Sequence, residues 1–148
     1  FFDASCLIAG AFSAEGGSRF LLDVCEKEYL VGVVSQPVLI ETERNIRKKF
    51  SEDMLTTYHR LVQSISFLNA PVPLQKQQKF PEDIVEEKDV HVVVGVLESQ
   101  TPYLITLDKN LQANVNSSKF SVKGFSPGEF IKKVFVHHVD YSELRDSS

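Results

Sequence analysis

No apolar run in this sequence is long enough to cross a bilayer, and the visible sequence shows no signal peptide. Cysteine is scarce: only Cys6 and Cys25 occur, without Cys-x-x-Cys spacing. That excludes a zinc ribbon or a disulfide framework. Both cysteines fall in apolar, helical-looking segments and read as buried thiols of a cytoplasmic protein. Positive charge is not in excess, with 16 Lys and Arg against 20 Asp and Glu, a net charge of −4. Such a chain is a poor electrostatic attractor for nucleic acid at large. The balance excludes loose, non-specific binding more than it excludes nuclease chemistry, because bound divalent cations would cancel part of the acidic charge. Internal repeats and low-complexity tracts are also missing.

What remains is a chain of 148 residues, 43% hydrophobic, an ordinary composition for one globular domain with a full core. We read residues 1–135 as that domain and 136–148 as a C-terminal tail. Phe1, Phe2 and Asp3 read as a strand end, followed by a small apolar helix over 4–12. Ser18 is placed to cap a helix carrying Phe20, Leu21, Val24 and Cys25 on one face. Residues 30–35 are valine-rich and suit a strand buried on both faces. Pro37 fits the first turn of the next helix, which carries Val38, Glu41, Asn45 and Lys48 along a stripe. Ser51, with Glu52 and Asp53 behind it, starts another helix. Residues 69–83 hold three prolines and read as a loop. Residues 90–97 are rich in valine, which favours a strand, yet Val90, Val93, Val94 and Leu97 form a helical face. The helix reading is preferred there. Strands are expected over 103–106 and 120–123. Ser126, Pro127 and Glu129 form a helix-start signature with cap, proline and reciprocal acid. Alternating strands and helices imply an α/β fold with a parallel sheet.

Four acids stand out against this pattern. Asp3 and Asp108 follow strand ends, while Glu41 and Asp89 lie on helices that lean over the same edge. A lone carboxylate ending an apolar run is costly without compensation. No basic residue lies in the same apolar runs, so a divalent cation acting on phosphates is the natural reading. Each acid alone has a plainer reading. Asp3 and Asp89 could serve as helix-start acids, Glu41 as a solvated helix residue and Asp108 as a turn residue. Glu82, Asp83, Glu86 and Glu87 read as a solvated face. His59 and His91 read as core-edge or surface residues, and the adjacent pair His137 and His138 points two ways.

Four blocks carry a resemblance: Phe2-Asp3-Ala4-Ser5; Ser35-Gln36-Pro37-Val38-Leu39-Ile40-Glu41; Lys88-Asp89 with the valine-rich segment after it; and Leu104-Ile105-Thr106-Leu107-Asp108-Lys109-Asn110-Leu111. In order and spacing they resemble the PIN domain family of Mg²⁺- or Mn²⁺-dependent nucleases, most closely the bacterial toxin-type branch of VapC-like ribonucleases. The resemblance implies an α/β/α sandwich of three layers around a central parallel sheet. It implies that Asp3, Glu41, Asp89 and Asp108 are metal-binding and catalytic, with Ser5 and Thr106 as supporting hydroxyls. It implies hydrolysis of single-stranded RNA by water, leaving 5′-phosphate and 3′-hydroxyl ends. An antitoxin protein and a second copy of the chain are the partners it suggests. Arg44 and Lys48, near Glu41, and Lys109 with Asn110, beside Asp108, are candidate phosphate contacts.

Two alternatives stay open. One is a catalytically silent PIN-like domain that binds RNA or protein. The other is a phosphoacceptor domain of the receiver type, which needs an adjacent acidic pair after its first strand. Here Phe2-Asp3 offers a single acid, and Lys123 is a weak match for the later lysine.

Overall fold

A computed structural model describes residues 1–72 and 85–146. Most of the proline-rich segment read as a loop lies outside these residues. The backbone carries eight α-helices among the described residues, with short strands between them. Strands β1 (Val33–Val34) and β2 (Leu68–Asn69) pair in parallel, as do β3 (Tyr103–Ile105) and β4 (Lys123–Phe125).

The N-terminal residues join these two pairs. Phe2 N–H donates to the Val33 carbonyl at 2.9 Å, and Ile105 N–H donates to Phe1 at 2.8 Å. Phe2 also forms a parallel bridge with Ile105. The resulting spatial order is β2, β1, residues 1–3, β3, β4. In chain order that is third, second, first, fourth, fifth. The progression reverses between residues 1–3 and β3, and open α/β sheets bind ligands beyond the carboxyl ends of the strands at such a reversal.

Local chemistry explains the helices that follow these strands. Asp3 accepts from Cys6 N–H and starts α1 (Ala4–Phe12). Ser35 caps α3 (Gln36–Lys49), whose first turn holds Pro37. Ser51 caps α4 (Glu52–Ser64), and Asp108 caps α6 (Lys109–Asn116). Ser126 caps α7 (Pro127–Lys133): its Oγ accepts from Glu129 N–H and donates to Glu129 Oε1, so the acid meets the cap hydroxyl rather than the cap N–H of the expected reciprocal box. The last helix, α8 (Tyr141–Asp146), buries Leu144.

The valine-rich segment is a helix, α5 (Val90–Glu98), with Val92, Val93, Val94 and Val96 all buried. Burial around most of its circumference explains its lack of a clean polar face. Gly95 lets this helix come close to the first segment: a methyl group there would lie 2.8 Å from the Phe1 ring. That close approach packs the middle of α5 against the first segment.

Several expected boundaries move: the strand read over residues 30–35 is confined to Val33–Val34, and the one read over 103–106 ends at Ile105. Ser18 does not cap α2 (Gly17–Glu26); the cap position is Gly16, and Ser18 is buried in the first turn beside Cys6. The fourth strand starts at Lys123 rather than Phe120. Asn116 decides this by donating to the Gly124 carbonyl at 3.0 Å and accepting from Gly124 N–H at 2.8 Å. Cys6 and Cys25 are both buried free thiols. No helix among the described residues is long and apolar enough to cross a membrane.

Candidate metal centre

Asp3 is the most enclosed of the four acids, with 6% of its surface exposed. Ser5 Oγ donates to its Oδ1 at 2.6 Å, and Thr106 Oγ1 donates to its Oδ2. Each hydroxyl also accepts. Leu107 N–H reaches Ser5 Oγ and Asp108 N–H reaches Thr106 Oγ1, both at 3.1 Å. Two hydroxyls therefore tie the end of the first segment to the chain leaving β3. Gln112 fixes the same corner by donating to the Thr106 carbonyl at 2.7 Å. Burial raises the Asp3 carboxyl above its ordinary range, and the donors from Ser5, Thr106 and Cys6 pull it part of the way back.

Asp108 has a divided role. Its Oδ1 accepts from Asn110 and Leu111 N–H at 2.9 and 3.1 Å, capping α6. Its Oδ2 lies 3.8 Å from Lys88 Nζ. Lys88 also lies 3.5 Å from Glu86.

Asp89 ends a turn of 3-10 helix (Glu87–Asp89) and leads into α5 without making a capping hydrogen bond. Its carboxyl is pushed up to about 6, first by burial, then by the negative charge of Asp108. Lys88 opposes the rise, and Glu86 and Asp3 add to it. Asp89, Asp108 and Asp3 thus share one region of negative potential, although they come from three separate stretches of chain.

Glu41 faces a different neighbour. Its Oε2 lies 3.1 Å from His91 Nε2 on α5, and His91 Nδ1 is buried without a hydrogen-bond partner. Among the described residues, no three of His, Cys, Asp and Glu come close enough together to enclose an ion.

The sequence offered no basic residue within the acids' own apolar runs, and the fold brings two to the acids from nearby positions. Lys88 and His91 supply basic groups from neighbouring positions. Both flank Asp89 in sequence, the signal that could have marked them. Arg44, Lys48 and Lys109 are exposed. Arg47, between the first two, pairs with Glu43 at 2.9 Å. His59 also meets Glu43, at 3.2 Å.

The chemistry of the four acids, rather than their spacing here, suits a hard divalent cation. Every acid offers oxygen, and the mutual repulsion felt by Asp89 is relieved by added positive charge.

A family model described as PIN domain matches residues 1–110. No curated protein and no solved structure matches the chain.

Proposed function

Because the chain belongs to the PIN domain family, a family of nucleases, we propose that it is a metal-dependent endoribonuclease acting on single-stranded RNA. The supporting observation is that the Thr106 hydroxyl bonds both the Asp3 carboxylate and Asp108 N–H, beside the point where strand order reverses. Asp3, Glu41, Asp89 and Asp108 would hold Mg²⁺ or Mn²⁺ and form the catalytic set. A divalent cation, when bound, supplies charge neutralisation at the scissile phosphate and acidifies water.

The chain's own residues do the positioning. Ser5 and Thr106 fix both oxygens of Asp3, so its carboxylate pays little reorganisation on binding. The cap of α6 fixes one oxygen of Asp108 and leaves the other toward Lys88. In the reaction a water oxygen bonds to phosphorus, the bond from phosphorus to the 3′-oxygen breaks, and a proton passes to that leaving oxygen. The products carry 5′-phosphate and 3′-hydroxyl ends.

We assign a three-layer α/β/α sandwich over residues 1–135, in a cytoplasmic, VapC-like toxin that is able to dimerise. An antitoxin would oppose it by offering a basic side chain to the acids, much as Lys88 already faces Asp108. One observation favours the silent alternative: no three candidate ligands among the described residues enclose an ion.

Cleavage of a labelled single-stranded RNA pool separates the two readings. Cutting is expected with Mn²⁺ or Mg²⁺ and is expected to disappear in EDTA and in Asp89→Asn. If the protein binds the metal but cuts nothing across a diverse RNA pool, the silent binding domain becomes the better reading.

A further inference from the structure

Beside the acids, α1 and the last turns of α3 border an apolar groove of about 490 Å³. Its lining includes Ser5, Phe12, Asn45, Lys49, Phe50 and Leu107. Three of these are large apolar side chains left open to solvent: Phe12 is 71% exposed, Leu107 46% and Phe50 39%. Apolar surface gathered in one concave place marks a binding site more often than scattered apolar residues do. The Phe12 and Phe50 rings lie 6.0 Å apart between centroids and are tilted by 54°, so they are not stacked face to face.

The groove adjoins the acids. Ser5 lines it and also donates to Asp3, while Leu107 lines it and immediately precedes Asp108. It carries a lysine in a chain whose net charge is −4. Lys49 lines it, and exposed Arg44 and Lys48 lie on the same helix. Exposed aromatic faces, a side-chain amide and a lysine are what a single strand of nucleic acid uses. Bases stack on the rings, the amide meets a base edge, and ammonium groups meet phosphates. A second protein chain would also cover the rings. Lys49 in the lining, together with a divalent cation once the adjoining acids hold one, favours the polyanion.

We propose that this groove is a base-stacking subsite for a nucleotide of single-stranded RNA next to the scissile phosphate. Phe12 and Phe50 hold the base, Asn45 contacts its edge and Lys49 contacts the backbone. The proposal rests on the nuclease reading above, and its test separates the two.

The chain contains no tryptophan, so Phe12→Trp installs a single fluorescent reporter in the groove. In EDTA, where cutting is not expected, a single-stranded RNA of about ten nucleotides should quench that reporter saturably. Inorganic polyphosphate should not. Phe50→Ala in the same background should weaken RNA binding by about 5- to 150-fold. In cleavage assays, Phe12→Ala and Phe12→Leu should both raise KM, because leucine keeps apolar area but loses the aromatic face. Phe12 is exposed, so these changes leave the core intact.

Quenching without cutting by the parent protein supports the subsite and overturns the nuclease reading. Cutting with unchanged KM in Phe12→Ala and Phe50→Ala overturns the subsite and leaves the nuclease reading standing. Absence of RNA quenching also overturns the subsite. So does emission that changes with protein concentration alone, together with dimer formation in sedimentation, because the groove would then be covered by a second copy.

Discussion

The strand-end acids and the helix-borne acids are held in different ways. Asp3 and Asp108 have oxygens engaged by hydroxyl or backbone donors within the fold. Asp89 makes no capping bond, and Glu41 faces the ring of His91. The first pair is fixed before any ligand arrives. The second pair is positioned by whole helices and by charges of nearby side chains. A site built this way has a rigid floor and a more adjustable wall. Fixing the floor lowers the reorganisation required on binding, while the wall carries much of the electrostatic frustration.

Breaking the floor should have the largest effect. Thr106 is fully buried, and its hydroxyl serves both Asp3 and Asp108 N–H. Thr106→Val should cost about 1–3 kcal/mol in chemical denaturation, because it leaves buried groups without their partner. It should also lower metal affinity or cleavage by about 10- to 100-fold. Ser5→Ala should act in the same direction and less strongly, since Ser5 is only half-buried. Wild-type behaviour in Thr106→Val would mean that the hydroxyl bridge does not hold the floor.

The wall should reveal itself through pH. The Asp89 carboxyl rises from 3.8 to about 6 in the fold. Between those values the folded chain keeps a proton that the unfolded chain has released. Stability without divalent cations should therefore fall as pH rises through that window. Asp3 shifts in the same direction, so Asp89→Asn should flatten the slope without abolishing it. Urea midpoints measured at several pH values check this. An unchanged slope in the variant would remove Asp89 as its source.

The smallest effect should come from Lys88→Ala. Lys88 is highly exposed, so stability should hardly change. The informative readout is the Asp89 carboxyl, which should titrate above its parent value once the opposing positive charge is gone. An NMR titration of that side chain checks it. Titration at the parent value would detach Lys88 from the wall.

Much of this design was legible in the residues. The caps at Asp3, Ser51 and Ser126 are local chemistry, in which a side-chain oxygen meets a backbone N–H within a few residues; Ser35 does the same but was not read as a cap. The α5 segment was harder to read, since valine favours strands and its burial on most sides removes the polar face that marks a surface helix. Ser18 was misleading because a buried serine beside Cys6 looks in sequence like a helix cap. The start of β4 depends on Asn116 reaching Gly124, a contact that local propensity does not encode.

The sequence alone determined several helix starts, the family pattern and the identities of the candidate acids, because those depend on residue type and short spacing. Tertiary structure decided that the N-terminal segment joins two strand pairs and that Asp89 feels Asp3 and Asp108. It also decided that Lys88 and His91 face two of the acids. Those outcomes depend on distances between residues far apart in the chain. Such distances are set by strand pairing and by close helix packing, as at Gly95 against Phe1.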